Sequence, residues 1–274
     1  MRGLLEFLTY SNVYLALGGM CITLSFMIML GIPINLLVMF CYFSLVFFLY
    51  TLNRYTDIPE DKINYPERVY FFQRFGKILL IISGLLFIFS LYLVSLTNLY
   101  SLIILLLPIG LVLLYSVLRL KKYFLIKNIL VALGWSTIPI FIYSIFNFSL
   151  NFAAVLILFL FLFFRVLFGA IFFDIKDIAG DRIHRISTLP SIYGLKRTKI
   201  VLHILNIMAS CLLIIGYIFN VFSVVAIFAS LIGIYSFICI KLIGKIDIKT
   251  LCEILVDGDG FVLLLLVLLG ASIW

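Results

Sequence analysis

Residues 151–183 read NFAAVLILFLFLFFRVLFGAIFFDIKDIAGDRI, and this stretch decides the fold. The part from 151 to 173 carries a single charge, Arg165, and about 20 apolar residues are enough for a helix to cross the hydrocarbon core of a bilayer. Asp174, Asp177 and Asp181 follow at spacings of three and four, which place them on one face of a helix. The stretch therefore predicts a membrane-spanning helix that ends in a row of carboxylates.

The composition of the whole chain extends this interpretation. Of the 274 residues, 65% are hydrophobic and 12% are charged, and the mean hydropathy is +1.30. A water-soluble protein of this length cannot bury so much apolar surface, whereas a bilayer solvates it. We predict an all-α integral membrane protein that forms one domain and crosses the bilayer nine times. The predicted spans are residues 12–31, 33–52, 77–97, 99–118, 128–147, 151–173, 199–218, 220–240 and 255–273.

Basic residues are distributed unevenly among the connections between these spans. Of the 20 Lys and Arg residues, all but Arg165 lie at the N-terminus or near the ends of the second, fourth, sixth and eighth spans. The positive-inside rule assigns this face to the cytoplasm. We therefore predict a multi-pass protein of the cell membrane with a cytoplasmic N-terminus, cytoplasmic polar loops and a C-terminus on the opposite side. The net charge of +8 then requires no nucleic-acid partner.

Two charged residues of the apolar segments need separate interpretation. A charge at the depth of Arg165 costs about 2.5–3.5 kcal/mol on insertion scales. Its side chain either faces a cavity or a partner, or it extends toward the cytoplasmic end of the helix, and both alternatives stay open. Asp259, at the start of the ninth span, is a candidate helix N-cap.

A short repeat relates two halves of the chain. Residues 57–63 (DIPEDKI) and 177–183 (DIAGDRI) match at both aspartates, at the basic residue and at both isoleucines, with an offset of 120 positions. Four predicted helices separate the copies, and each copy follows a span directly. We predict a 4+4+1 arrangement, with pseudo-repeats of about 1–126 and 127–250 plus a ninth helix, around a central lipid-accessible cavity.

Oxygen ligands form a row at the end of the second span and another at the end of the sixth. Carboxylates stacked on one helix face repel each other, and a hard divalent cation removes that conflict. Mg²⁺ prefers oxygen ligands and is usually completed by substrate phosphates, so we predict two Mg²⁺ ions. The candidate ligands are Asn53, Asp57, Asp61, Asp174, Asp177 and Asp181. The candidate phosphate-binding residues around them are Lys62, Arg119, Lys121, Lys122, Lys127, Lys176 and Arg182.

These motifs resemble those of the UbiA-type intramembrane prenyltransferases. The stretch 53–61 matches the NxxxDxxxD motif of that family, and 174–182 followed by Thr-Leu-Pro at 188–190 resembles its second aspartate motif. Tyr115 and Arg119 stand where the family has YxxxK, with Arg in place of Lys. Some relatives have Gly where this chain has Arg185.

The resemblance implies a reaction and roles for these residues. Two Mg²⁺ ions hold the diphosphate of a polyprenyl donor, the diphosphate leaves, and the allylic cation alkylates a lipophilic acceptor. By position, Asn53, Asp57 and Asp61 serve one metal, and Asp177 and Asp181, with Asp174, serve the other. The resemblance implies that Tyr115 and Arg119 contact the diphosphate.

One alternative function and several properties stay open at this point. A polytopic transporter for a cation or an anionic solute also combines repeats with intramembrane acids, although transporter acids usually lie near the bilayer midplane. The acceptor of a prenyltransferase is left as either a quinone-precursor ring or a glycerol ether phosphate. Neither the prenyl chain length nor the oligomeric state follows from the sequence.

Overall fold

Helices form most of the backbone in the computed structural model, which describes residues 2–56, 66–117, 124–184 and 187–273. No β-strand occurs within those ranges, apart from one isolated bridge between Ile243 and Ile246. A helix satisfies every backbone hydrogen bond within its own segment, which is the condition that a bilayer imposes on an apolar chain. The all-helical class predicted from the composition is confirmed.

In the described ranges the helices, numbered in chain order, are α1 (Arg2–Tyr10), α2 (Val13–Met29), α3 (Leu36–Thr56), α4 (Pro66–Ser95), α5 (Leu99–Val117), α6 (Ile126–Ile145), α7 (Phe152–His184), α8 (Leu189–Ile218), α9 (Val225–Ser230), α10 (Ile232–Leu242), α11 (Ile248–Thr250) and α12 (Asp259–Ala271). A π-helical segment, Leu251–Val256, joins α11 to the turn before α12.

The length and apolar composition of the helices indicate a multi-pass membrane protein. Six are long and apolar enough to cross a membrane, and the number rises to eight when each of two bent pairs is taken as one span. The apolar part of α5, Leu99–Leu113, falls short of that length. Helical segments coincide with all nine predicted spans, but the count of nine crossings stays a prediction.

Several helices extend beyond the predicted spans on the basic side. α4 begins at Pro66 and not at residue 77, and α8 begins at Leu189 and not at residue 199. The predicted spans include only apolar residues, whereas the first turns of these two helices carry charged residues. Proline and capping residues set where the helices begin. Thr188 is the N-cap of α8, its backbone N–H lies 2.9 Å from Ser191 Oγ, and Pro190 follows in the first turn.

On the side of the bundle opposite the basic residues, an asparagine lies at the start of each of three helices. The Asn35 side chain accepts from the backbone N–H of Leu37 at 2.9 Å, and Asn98 accepts from Ser101 at 2.8 Å. Asn151 accepts from Ala153 in the same way. Because the first N–H groups of a helix have no partner within it, these side chains fix where α3, α5 and α7 begin.

The helices close into a ring. Each helix from α2 to α8 packs on the next, the α9–α10 pair follows, and α12 contacts both α9 and α2. The α12–α2 contact is made of backbone, since a Cβ atom added to Gly260 would lie 2.4 Å from the carbonyl oxygen of Gly18. The ring encloses the space in which most of the described polar candidates lie.

Candidate active site

A cavity of about 360 Å³ lies inside the ring. Its volume falls within the range of small-molecule sites. Residues from α2, α3, α5, α6, α7 and α12 line it, together with Arg68 from α4 and the π-helical segment. One end is lined by charged and amide side chains, namely Asn53, Arg54, Arg68, Lys127, Lys176, Asp177, Glu253 and Asp257. The other end is mostly apolar.

Two of the six predicted metal ligands lie on the wall of this cavity. Asn53 is in the last turn of α3, and Asp177 lies near the C-terminal end of α7, which carries the acidic motif. The fold therefore brings one residue of each motif to the same polar end. An amide oxygen and a carboxylate are ligands that Mg²⁺ accepts.

Asp174 lies behind that wall. Its side chain is 1% exposed, Asn128 Nδ2 donates to its Oδ2 at 2.8 Å, and Lys127 Nζ lies 3.6 Å from its Oδ1. Asp174 does not line the cavity, while Lys127 does. Lys127 and Asn128, the second and third residues of α6, thus hold the carboxylate in a fixed orientation.

The structure does not describe the side chains of the other candidate residues. Asp57, Asp61, Lys62, Arg119, Lys121 and Lys122 fall outside the described residues, and Tyr115, Asp181 and Arg182 lie in α5 and α7 without described side chains. Among the side chains that are described, no group of three His, Cys, Asp or Glu residues comes together as a metal site. That finding covers Asp174 and Asp177 but not the other three aspartates of the predicted set.

Lys176 and Arg68 meet on one acid that is not among the predicted site residues. Glu253 Oε1 lies 2.9 Å from Arg68 Nη2 and 3.4 Å from Lys176 Nζ. All three side chains are largely withdrawn from solvent and all three line the cavity. Glu253 stands in no motif, and the only signal in the sequence was an acid beside the start of the ninth apolar segment.

Glu253 is carried by the π-helical segment. A π-helix leaves its backbone hydrogen bonds less regular, and such segments often occur at functional sites. Two tyrosines bind its carbonyl oxygens: Tyr14 Oη donates to Ile254 at 3.0 Å, and Tyr235 Oη donates to Leu255 at 2.8 Å. The segment is therefore fixed from both sides while it presents Glu253 to the cavity.

Arg165 faces the cavity and has a partner. Its side chain is 5% exposed, and its guanidinium donates to Asp259 of α12, to Asn206 Oδ1 at 3.1 Å and to Ser236 Oγ at 2.6 Å. The alternative in which the side chain extends to the helix end is wrong. About 18 Å of helix separates Arg165 from Asp177, so this network lies well inside the apolar region.

The pairing of Asp259 replaces its predicted role as a cap. Gly258 is the N-cap of α12, with no side-chain hydrogen bond, and Asp259 is the first residue of the helix. Its carboxylate binds Arg165 because a buried guanidinium without an acid would be more costly than an uncapped helix end. The partners lie 94 positions apart, so no local pattern links them.

Aromatic and aliphatic side chains form the rest of the wall. Trp135 Nε1 donates to Tyr50 Oη at 3.0 Å, and both rings border the cavity. Tyr42 and Leu162 also line it, far along α3 and α7 from the acidic motifs. The cavity thus combines an end that can hold an anion with an interior that can hold a long apolar chain away from water.

Comparisons with known proteins agree with this arrangement. The family model described as the UbiA prenyltransferase family matches residues 12–251. A digeranylgeranylglyceryl phosphate synthase from Methanosphaera stadtmanae is 34% identical over an alignment of 194 residues that covers 68% of this chain and 69% of the relative.

Solved structures share the fold. A structure described as a digeranylgeranylglyceryl phosphate synthase in membranes matches over 100% of both chains, with a TM-score of 0.64 and 24% identity. A UbiA homologue from Archaeoglobus fulgidus, bound to GPP and Mg²⁺, matches with a TM-score of 0.67 and 18% identity over 97% of this chain and 99% of its own. At these identities the likeness concerns the fold alone.

Proposed function

The chain belongs to the UbiA prenyltransferase family, and from this premise we propose that it transfers a polyprenyl group from a prenyl diphosphate to a prenylated glyceryl phosphate. The family that the aspartate motifs indicated is confirmed, and with it the class of enzyme, a prenyltransferase. The transporter alternative is thereby set aside. The glyceryl phosphate acceptor rests on the curated relative, whose name states such a product.

The observation that carries the proposal is the continuity of one cavity. Asn53, Asp177 and basic side chains border its polar end, and the same space continues between apolar helices. A prenyl diphosphate has the same division, since a diphosphate with several negative charges is attached to an apolar chain. An allylic cation must be kept from water, which an intramembrane cavity does.

Magnesium is the proposed cofactor, with two ions. The donor set fits, since Asn53 and Asp177 provide oxygen atoms at the polar end and no thiol or imidazole competes there among the lining residues. We assign Asn53, Asp57 and Asp61 to one ion and Asp177 and Asp181 to the other, with Asp174 supporting the second set from behind the cavity wall, where Asn128 and Lys127 bind its carboxylate. Bound Mg²⁺ stabilises the charge of a departing diphosphate.

The basic residues have a complementary proposed role. Lys127 and Lys176 border the cavity near Asp177, and Tyr115, Arg119, Lys62, Lys121, Lys122 and Arg182 are proposed to contact the diphosphate with them. Cations fixed before the reaction stabilise the negative charge that develops as the C1–O bond of the donor breaks. The acceptor hydroxyl oxygen then forms a bond to C1, and its proton passes to the released diphosphate or to water.

The membrane arrangement is part of the proposal. We place the polar end, the N-terminus and the loops that carry the aspartate motifs in the cytoplasm, because the basic residues cluster there. Nine crossings, two pseudo-repeats of four helices and an added ninth helix complete the proposed topology. Water-soluble diphosphate can leave from this side while both lipid chains stay in the bilayer.

A reconstituted assay tests the proposal. Purified protein in lipid nanodiscs is incubated with Mg²⁺, a labelled four-isoprene diphosphate and, in separate reactions, a prenylated glyceryl phosphate or an aromatic quinone precursor, and products are identified by mass. We expect the ether product, and we expect Asp177→Asn to lower the rate by about a hundredfold or more. The matched control is Asp247→Asn, because Asp247 caps a surface helix by accepting from Thr250 N–H at 2.9 Å. Transfer to the aromatic ring alone, or equal rates for Asp177→Asn and the wild type, would refute the proposal.

A further inference from the structure

The cavity ends at a floor inside the membrane. Tyr42 on α3 and Leu162 on α7 are the lining residues farthest from the aspartate motifs on those helices. Next to them, Phe161 on α7, Phe26 on α2 and Ile138 on α6 are fully withdrawn from the surface and belong to the main core cluster. The open space therefore stops where these side chains meet.

Tyr42 is the part of this floor that is fixed by more than packing. Its side chain is 1% exposed, and its hydroxyl lies 2.9 Å from Thr137 Oγ1 on α6. The Thr137 hydroxyl also donates to the Gly134 carbonyl at 2.7 Å, so Tyr42 is the donor in the pair. Phe141 packs against the Tyr42 ring edge to face, with centroids 5.5 Å apart. The ring is held between α3 and α6 and has little freedom to move away.

The depth of the cavity follows from helix geometry. Tyr42 and Asn53 are 11 positions apart on α3, which corresponds to about 17 Å. Leu162 and Asp177 are 15 positions apart on α7, or about 22 Å. An extended chain gains about 1.2 Å per bond, so an isoprene unit of four chain bonds is about 5 Å long. The distance between the polar end and the floor accommodates three to four isoprene units.

From this geometry we infer that Tyr42 sets the upper length of the prenyl donor, at four isoprene units. The inference rests on the proposed function, since it takes the diphosphate to be bound near Asn53 and Asp177. A donor whose head is fixed there must extend along the cavity, because the head cannot slide toward the cytoplasm without losing its ligands. A chain of four units, about 20 Å long, lies between the two distances, whereas a fifth unit brings the chain to about 25 Å, exceeds both distances and meets the Tyr42 ring.

The experiment compares donors of three, four, five and six isoprene units with one acceptor. In the wild type we expect kcat/KM to fall by about tenfold or more between the four- and five-unit donors, as rejection by a packed apolar wall does. Tyr42→Ala removes the ring, and we expect the ratio of five-unit to four-unit kcat/KM to rise by about tenfold. Tyr42→Phe keeps the ring and should keep the limit.

Controls separate this role from general damage to the fold. Tyr143→Ala removes a tyrosine from the same bundle that packs on Phe148 and does not line the cavity, and it should leave the length profile unchanged. Tyr42→Leu is a milder variant in case the alanine form does not fold. An acceptor of varied chain length, tested in parallel, should show no change of profile in any Tyr42 variant.

A binding measurement decides the inference independently of the acceptor. The increase in thermal stability caused by non-hydrolysable prenyl thiodiphosphates with Mg²⁺ is measured across the same chain lengths. We expect a maximum at four units in the wild type and a longer maximum in Tyr42→Ala. Equal use or equal binding of five- and six-unit donors by the wild type would overturn the inference, because it would mean that the tail leaves between helices. A Tyr42→Ala or Tyr42→Leu profile identical to the wild type would also overturn it. Failure of every acceptor with a normal binding profile would refute the proposed function and leave this inference supported.

Discussion

Glu253 connects Arg68 at the start of α4 to Lys176 on α7, with its Oε1 at 2.9 Å from the guanidinium and 3.4 Å from the ammonium. The carboxylate is 14% exposed, and the two cations are 6% and 2% exposed. The polar end carries a positive formal charge, because four basic residues line it (Arg54, Arg68, Lys127 and Lys176) against three acids (Asp177, Glu253 and Asp257). Glu253 therefore positions its two cations without cancelling their attraction for an anion.

The first prediction concerns this shared acid. In Glu253→Gln the two buried cations lose their common partner and repel each other, so we expect the KM for the prenyl diphosphate to rise by about tenfold or more. Loss of one member of a buried charge group also destabilises a fold, by about 3 kcal/mol. Donor titrations and thermal unfolding measure both effects.

Two further variants distinguish positioning from a general loss of structure. Glu253→Asp keeps the charge and should recover much of the affinity for the donor, while Glu67→Gln, which changes an exposed acid near the surface, should have no effect. A Glu253→Asp enzyme as weak as Glu253→Gln would argue against positioning by charge.

The second prediction separates the two described aspartates of α7. Asp177 lines the cavity, so Asp177→Asn should raise the Mg²⁺ concentration needed for half-maximal activity and lower the maximal rate. Asp174 lies behind the wall and is bound by Asn128 and Lys127, so Asp174→Asn should lower activity about 10–100-fold, as loss of an outer-shell partner does. Mg²⁺ titrations of turnover measure both. A larger Mg²⁺ shift in Asp174→Asn than in Asp177→Asn would contradict the assignment.

The third prediction concerns the intramembrane pair of Arg165 and Asp259. Replacing either partner alone leaves a buried charge, so Arg165→Met and Asp259→Asn should each lower the unfolding free energy by about 3–5 kcal/mol. The double variant has no unpaired charge and should be more stable than the less stable single variant. A double-mutant cycle on thermal unfolding in detergent tests this, and strict additivity of the two losses would show that the residues do not interact.

The fourth prediction concerns the closure of the helix ring. A Cβ atom in Gly260→Ala would lie 2.4 Å from the Gly18 carbonyl oxygen, so α12 must move away from α2, and both stability and activity should fall. Gly110→Ala on α5 is the matched control, since an added Cβ there meets nothing within 4 Å. Thermal unfolding and turnover of the two variants provide the comparison. Equal behaviour would mean that the close α12–α2 contact is not needed.

The sequence predicts those features that depend on local pattern. Apolar runs of about 20 residues predict the positions of the helices, and spacings of three and four predict that Asp174 and Asp177 share a face of α7. Even so, a shared face did not mean a shared environment, since Asp177 borders the cavity and Asp174 is enclosed by α6. The depth of a side chain within a face depends on the neighbouring helix.

Features that depend on distant partners could not be predicted. Glu253 stands in no recognisable pattern, and its importance follows only from its contact with Arg68, 185 positions earlier in the chain. Whether Arg165 faces a cavity or a partner, or extends to the helix end, was likewise left open, because its acid partner Asp259 lies 94 positions away in the chain. Positions of this kind are set by how the ring closes.

The distance in sequence between Arg165 and Asp259 has a consequence for the biogenesis of the protein. Helices of a membrane protein are inserted as they are synthesised, and α7 enters the bilayer before α12 exists. During that interval Arg165 has no acid partner within the membrane. Its uncompensated charge makes the insertion of α7 less favourable by about 2.5–3.5 kcal/mol. We expect α7 to remain at the insertion machinery, or with Asn206 and Ser236 of the following helices, until α12 arrives. When α12 is inserted, Asp259 neutralises the charge and the ring closes. The cavity is therefore completed late in the folding of the newly synthesised chain.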